Sequence, residues 1–400
     1  MRDAVWIVGV SMTKFGRYPD KDIIDLSSEA ARAALADAGV PLSDIDFLAF
    51  GTTSETNNAS QRLMAQIGYR PIPAFNVANG CATGAVALRL CIQSILAGEA
   101  SMALAVGAQV MGKAGLLGNA SRGGKDGAKP FIRRGRWGTV MSIEGRIGTG
   151  TFPGTFSHAG MEYALENDVT FDQFAKVAVK NHEHSTLNPL AQYRRAFTVE
   201  EIKGADMVSY PNTVPMCCPT TDGSAAVVVV SSERLASLDI DQRRRAVKIS
   251  ASSIQSQPWS ESESIQPDLN TLTRQCAARA YEAAGVGPED LDLVELHDCF
   301  ASAELMHYDN LGLCEPGGAG DFIDSRAPWR DGTIPVNVSG GLLSKGHPIG
   351  ATGLANVFEV ATHLRGEAGD RQIENATVGL THVLALGSTC AVHILERAAA

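Results

Sequence analysis

The sequence has no apolar run near the ~20 residues that span a bilayer, and it has no excess of positive charge: 34 Lys and Arg stand against 44 Asp and Glu, a net charge of −10. The acidic balance argues against a general nucleic-acid binder, because phosphate neutralisation needs a basic surface. It leaves room for one anionic ligand in a local basic pocket. The opening MRDAVWIVGVSMTKFGR returns to charge after a short apolar stretch, so it reads as a first buried strand and not as a signal peptide. The closing ERAAA carries no Ser-Lys-Leu address. The eight cysteines (81, 91, 217, 218, 276, 299, 314 and 390) form no Cys-x-x-Cys pair. Such a spread is unlike a disulfide scaffold, and a cytoplasmic location with reduced thiols is the expectation. Most of these thiols should pack as small hydrophobes. What remains is ordinary: 44% hydrophobic and 20% charged residues over 400 positions, enough for two or three domains of ~150 residues each.

A repeat organises the chain. EAARAALADAGVPLSDIDFLAFGTT at 29–53 is matched by QCAARAYEAAGVGPEDLDLVELHDC at 275–299, and Gly285 stands 246 positions after Gly39. Each copy reads as an amphipathic helix, a glycine stop, a turn and a buried strand. Ala82-Thr83-Gly84 is matched in turn by Ala351-Thr352-Gly353, 269 positions on, each opening a long apolar helix followed by a strand. Helices alternating with strands in duplicate imply two similar α/β halves packed together. The expected division is a first half of 1–118 plus 206–245, an inserted lobe of 119–205 without a counterpart, and a second half of 246–400. The insert holds SRGGKDGAKPFIRRGRWG and helical patterns such as FDQFAKVAVKNH.

Four residues stand out chemically. Cys81 follows Gly80 and precedes the first of the matched apolar helices. Free N–H groups and the positive end of the helix dipole favour an anion there, so a lowered thiol pKa and a nucleophilic role are expected. His347, in SGGLLSKGHPIGATG, lies just before the matching helix of the second half. If the halves pack about a pseudo-two-fold axis, His347 comes close to Cys81 and can serve as base or oxyanion donor. His297 and Cys299, in His-Asp-Cys-Phe, end the strand LDLVEL and share a face if its alternation continues. Cys299 could then exchange protons while His297 donates a hydrogen bond, with Asp298 as a capping group. Cys217 and Cys218 read as packing or turn residues, Cys390 as core, and His182-Glu183-His184 as a solvated helix face. No metal site is expected.

Together these segments resemble the thiolase superfamily, and within it the sterol-carrier-protein-type thiolases. The resemblance covers essentially the whole chain. It rests on GCATG at 80–84, CCPTTDGSAA at 217–226, HDCF at 297–300 and GHPIGATG at 346–353, with FSHAGMEYA and VKNHEHSTLNP in the insert. It implies the five-layered αβαβα thiolase fold, with the inserted lobe helping to bind coenzyme A. It implies acyl transfer through Cys81, with His347 activating the thiol, His297 in place of the usual Asn, and Cys299 as the second acid/base. Coenzyme A is then a substrate, and no permanently bound cofactor is expected. Standard members place an acid/base cysteine near the C-terminus, where this chain has Leu384. The second oxyanion donor is therefore assigned to backbone near Gly387 or Ser388, alongside the N–H of Cys81. The family further implies a homodimer or larger assembly, and a small OB-fold, zinc-containing accessory subunit as a partner. An aldolase-type lyase on the same fold and a non-catalytic lipid-binding protein remain alternatives, and no separate sterol-carrier domain is expected after residue 400.

Overall fold

The structure, a computed structural model, describes residues 4–54, 57–112, 151–259, 268–386 and 389–398. The basic stretch of the insert falls at 121–138 and lies outside the described residues.

The repeat reappears as matched elements. Helix α1 (Ile23–Ala38) is capped by Asp22, whose side chain accepts from the N–H groups of Ile24 and Asp25. It stops at Gly39 in the left-handed region, φ 64°. Its counterpart in the second half is Leu269–Ala284, capped by Asp268 and stopped at Gly285, φ 73°. Glycine adopts that conformation without a Cβ penalty, which is why it ends both helices. After each stop an aspartate ties the next strands together. Asp46 accepts from the N–H groups of Ser101 and Met102, and Asp292 from those of Thr377 and Val378.

The first half contributes strands β1 (Val5–Met12), β2 (Phe47–Gly51), β3 (Ala74–Val77) and β4 (Met102–Gln109). The pair β5 (Met207–Ser209) and β6 (Asn212–Thr213) stands apart, and β7 (Gly223–Ser231) closes the half. The second half supplies β8 (Val247–Ser256), β9 (Leu293–Glu295), β10 (Val378–Ala385) and β11 (Thr389–Arg397). Nine of these form one mixed sheet in the order β3-β2-β4-β7-β1-β8-β11-β10-β9. Read outward from β1 and β8, the halves mirror each other. Antiparallel neighbours β7 and β11 come next, then β4 and β10, then β2 and β9 in parallel pairing. Val336 makes a parallel bridge to β9 where β3 stands in the first half.

Among the described residues, the remaining helices of nine or more residues are α2 (Ala59–Ile67), α3 (Thr83–Leu96), α4 (Thr151–Asn167) and α5 (Phe171–Ser185), then α6, the Leu269–Ala284 helix already met. They end with α7 (Ala301–Asn310) and α8 (Thr352–Arg365). Helix α1 covers β1 and β7 from outside, and α6 covers β8 and β11. Helices α3 and α8 lie against each other in the middle, touching strands of both halves. The layers thus run helix, first-half strands, α3 with α8, second-half strands, helix, the αβαβα order expected, and the two strand layers are joined into the one sheet by the β1–β8 pairing. Alanine and glycine let the central layer close up: a Cβ on Gly84 would stand 2.9 Å from the carbonyl oxygen of Gly350, and one on Gly353 would collide with the backbone N of Ala85. Gly353→Ala should therefore push the helix starts apart, costing about 1–3 kcal/mol of stability and disturbing the site they build. Urea unfolding and steady-state rates on the same sample check both effects.

Two ion pairs are sealed in the interior. Lys345 Nζ lies 3.3 Å from Glu295 Oε2, and Lys180 Nζ lies 2.8 Å from Glu304 Oε1, with all four side chains inaccessible to solvent. Buried charges persist only when paired and hydrogen-bonded. Glu295 also accepts from Ser339 Oγ, and Glu304 from Tyr308 Oη and Asn337 Nδ2.

The His182-Glu183-His184 segment departs from the solvated-face expectation. Both histidines are buried. His182 Nε2–H donates to the carbonyl of Pro215, while His184 donates from Nδ1 to Asn337 and accepts at Nε2 from Arg330 N–H. Only Glu183 reaches solvent, accepting from Trp329 Nε1. His182 clasps α5 to the turn at Pro215 and His184 clasps it to the second half, tertiary roles that helical periodicity does not show.

Candidate active site

The first helix start is shaped by Thr83. Its hydroxyl donates to the carbonyl of Gly80 at 2.6 Å and accepts from Asn79 N–H at 2.8 Å. Gly80 takes φ 56°. The tight turn that results places Cys81 one residue ahead of the α3 cap, at the contact between α3 and α8. Cys81 packs with Ala82, Ala85, Ile349, Val383, Ala385 and Ala391, and is 8% exposed.

The second helix start repeats the device with a different payload. Thr352, the counterpart of Thr83, donates its hydroxyl proton to the carbonyl of Pro348. Its oxygen then accepts from His347 Nδ1 at 2.7 Å. Because Thr352 has one proton and has spent it, Nδ1 carries the ring N–H and Nε2 keeps its lone pair. That Nε2 lies 3.3 Å from Cys81 Sγ. The thiol therefore donates to the imidazole, and the two halves meet as nucleophile and base. The loop carrying His347 is held by Thr221, whose Oγ1 accepts from His347 N–H, and by a π-helical turn over Gly341–Lys345. Asp298 caps that turn, accepting from the N–H groups of Leu342 and Leu343 and from Asn181 Nδ2.

The expected lowering of the Cys81 pKa is overturned. Burial pushes the thiol up to about 12 and the His347 imidazole down to about 3. Removing a thiolate from water outweighs what the end of one helix dipole returns. The resting pair is neutral, S–H with imidazole, and a thiolate arises only as its proton passes to Nε2. Iodoacetamide should accordingly alkylate Cys81 slowly, at a rate nearly constant from about pH 5 to pH 9. A thiolate–imidazolium pair would instead show a sigmoid rise below neutrality, which peptide mass spectrometry of the alkylated site would reveal.

His297 is fully buried, its ring centroid 5.2 Å from that of His347, edge to face. Neither of its ring nitrogens has a hydrogen-bond partner among the described residues. Burial is the first cause of a pKa well below the usual imidazole range, with His347 and His382 adding to it. A neutral ring with a free N–H next to a thiol is an oxyanion donor in waiting.

Cys299 is close by, but not by strand alternation. β9 ends at Glu295, and His297 to Cys299 run irregularly because Asp298 turns aside to cap the π-helical turn. Cys299 is instead placed across from Cys218, whose N–H donates to the Cys299 carbonyl at 3.0 Å, beside an antiparallel bridge between Cys217 and Phe300. Burial raises the Cys299 thiol well above its usual pKa, and the neighbouring thiols of Cys218 and Cys81 add to it. Cys218 is thus part of the surroundings of Cys81 as well as a packing residue. The Cys-Cys-Pro sequence alone gave only the turn.

The C-terminal strand shows why Leu384 is no substitute for a cysteine. Val383 and Ala385 face Cys81, while Leu384 points into the opposite core and pairs across β10–β11 with Cys390, itself buried there. Gly387 and Ser388 lie outside the described residues. A nearby open cleft of about 650 Å³ is lined by Lys14, Arg17, Tyr18, Tyr193, Pro219 and Thr220, among others.

Known proteins share this architecture. Residues 5–214 match the family model "Thiolase, N-terminal domain" and residues 254–397 match "Thiolase C-terminal domain-like". The chain is 36% identical to sterol carrier protein 2 of Bos taurus over 99% of its own length and 73% of that protein's. It is 34% identical to an acetyl-CoA acetyltransferase of Methanothermobacter thermautotrophicus, covering 99% and 100% of the two chains. With the benzoylsuccinyl-CoA thiolase subunit BbsB of Thauera aromatica it shares 30% identity over 95% of this chain and 94% of that one. Among solved structures, the Ltp2-ChsH2(DUF35) aldolase superposes with a TM-score of 0.80 at 23% identity, covering 98% of each chain. Human mitochondrial 3-ketoacyl-CoA thiolase in complex with CoA superposes with a TM-score of 0.73 at 17% identity, covering 99% of this chain and 98% of that one. The duplicated halves, the facing helix starts and these full-length matches lead to one conclusion: the chain belongs to the thiolase family.

Proposed function

We propose that this protein is a thiolase acting on 3-oxoacyl-CoA, in thiolytic cleavage or in the reverse condensation, with Cys81 as acyl carrier. The observation that carries this reading is the Cys81 S–H directed at a His347 Nε2 whose lone pair is kept free by Thr352. As the sulfur attacks the 3-oxo carbonyl carbon, its proton passes to His347. The bond between the α and β carbons then breaks, leaving an acyl thioester on Cys81 and the enolate of a shortened CoA ester. Cys299 protonates that enolate carbon, then takes the proton of an incoming CoA thiol, whose sulfur attacks the acyl-enzyme; the carbon–sulfur bond to Cys81 breaks, Cys81 recovers its proton from His347, and the product acyl-CoA leaves. His297 N–H and backbone N–H groups of Cys81 and of the Gly387–Ser388 segment would hold the oxyanions. Lys14 and Arg17 in the open cleft offer charge for the phosphates of coenzyme A, which enters as substrate and not as a resident cofactor.

The fold is shared with an aldolase, so a lyase acting on a 3-hydroxyacyl-CoA is the second reading. The thiol and imidazole at 299 and 347 favour the thiolase, since aldolase-type relatives tend to carry tyrosines there. We infer in addition a homodimer and an accessory subunit, the latter because the aldolase neighbour is described together with a DUF35 partner. Size-exclusion chromatography with and without the neighbouring gene product tests both.

The direct experiment incubates the protein with CoA and a panel of 3-oxoacyl-CoAs, following shortened acyl-CoA and the acyl adduct on Cys81. No turnover across the panel would shift the reading to the lyase. Cys299→Ala is expected to retain the adduct while losing about 10²–10⁴-fold in turnover. Loss of the adduct itself would remove the separate acid/base role.

A further inference from the structure

Cys81 Sγ, a ring nitrogen of His297 and a ring nitrogen of His347 lie within 4.8 Å of one another, and all three residues are buried. The set is a sulfur and two imidazoles, with no carboxylate. Hard cations such as calcium and magnesium demand oxygen, whereas sulfur with imidazole suits zinc and its relatives. Tetrahedral zinc, with bonds of about 2.3 Å to sulfur and about 2.0–2.1 Å to nitrogen, sets neighbouring donors roughly 3.3–3.7 Å apart. The Cys81 Sγ to His347 Nε2 separation is 3.3 Å.

Two further features belong to a metal ligand set. His347 Nε2 holds a lone pair because Nδ1–H donates to Thr352 Oγ1, which is the outer-shell arrangement that orients and fixes the tautomer of a ligating histidine. His297 is wholly buried, and both its ring nitrogens are unpartnered among the described residues. Buried polar atoms ordinarily find a partner, and the oxyanion proposed above occupies His297 only during turnover. Asp298 does not compete for the metal, as both its oxygens are engaged by the Leu342–Leu343 turn and Asn181.

We propose that Cys81, His297 and His347 form a reversible site for one zinc-class divalent cation, with the fourth coordination position open. On binding, the S–H bond of Cys81 breaks, its electron pair goes to the metal, and the proton leaves to solvent. No oxidation state changes. The bound ion occupies both the sulfur and the lone pair that would receive its proton, so the loaded enzyme is silent in acyl transfer. Binding stands on the geometry alone. The inhibition rests on the reading of Cys81 as nucleophile.

The test uses the full chain, reduced and stripped with chelator. Titration with Co²⁺ should give one equivalent of tetrahedral absorption with a thiolate-to-cobalt band, and Zn²⁺ should displace it. Zinc added alone should release one proton per ion bound. His297→Gln should weaken cobalt binding about tenfold or more, while Cys314→Ser, a partly buried thiol outside this donor set, should leave it unchanged. No band in wild type, or a thiolate band persisting in Cys81→Ala, overturns the site. The wild-type protein supplies a check that needs no variant: saturating zinc should protect Cys81 from iodoacetamide, and unprotected Cys81 overturns the proposal. Metal binding without turnover of any acyl-CoA supports the site and sinks the thiolase reading. Turnover unaffected by saturating zinc sinks the proposed inhibition and leaves that reading standing.

Discussion

Cys81→Ala is expected to lower kcat/KM for acyl transfer by about 10⁴-fold and to abolish the covalent adduct, with little loss of stability. The magnitude follows from removing a nucleophile whose partner and oxyanion donors stay behind. The stability expectation follows from what is lost: one sulfur in a pocket lined by alanines, Ile349 and Val383, and its hydrogen bond to His347 Nε2. His347→Ala should lose a comparable factor, because the thiol, pushed up to about 12, has no route to ionisation near neutral pH without that base. The double variant should be scarcely slower than either single one, since residues acting as a unit are not additive. Stopped-flow thiolysis with mass spectrometry of the Cys81 peptide measures all three. Unchanged thiolysis in Cys81→Ala would sink the mechanism.

The placement of this pair was legible in the sequence because it depends on the repeat. Thr83 and Thr352 occupy equivalent positions, and each uses its hydroxyl to tie a helix start to a preceding carbonyl. Two equivalent helix starts facing across a pseudo-two-fold axis put Cys81 next to His347, whatever the rest of the chain does. The protonation state was not legible, because it depends on depth. A helix start predicts a favourable dipole, but not that the thiol sits there at 8% exposure among apolar neighbours. The same gap explains His182 and His184, whose partners Pro215, Arg330 and Asn337 are distant in sequence. For Cys299 the proximity was right and the reason wrong. The strand ends at Glu295, and the pairing with Cys218 that positions Cys299 spans two segments without periodicity.

The second large effect expected is steep acid unfolding, beginning at a pH where most proteins are comfortable. Eight of the nine histidines are buried, and burial holds each of the eight below its ordinary pKa. His307 and His347 fall to about 3, and His363 and His393 to about 4. Unfolding restores a value near 6.5, so below that pH the unfolded chain binds protons that the native state refuses. Stability is therefore full above about pH 6.5 and is lost as the pH falls toward the native values. Each of these four histidines costs about 2 kcal/mol by pH 5, together of the order of a whole domain's stability. Asp298 and Glu295 act in the opposite sense, since burial raises their carboxyls and lets the native state hold protons that the unfolded chain has lost. Two such groups against eight leave the balance with the histidines. Circular dichroism at fixed ionic strength should show a cooperative loss of structure between about pH 4 and 5.5, with a slope of several protons. His393, buried and distant from Cys81 in sequence, is the informative substitution. His393→Leu should lose about 2 kcal/mol less than wild type between pH 7.5 and pH 5 in urea titrations. Equal losses in the two proteins would show that His393 takes up its proton without unfolding the chain.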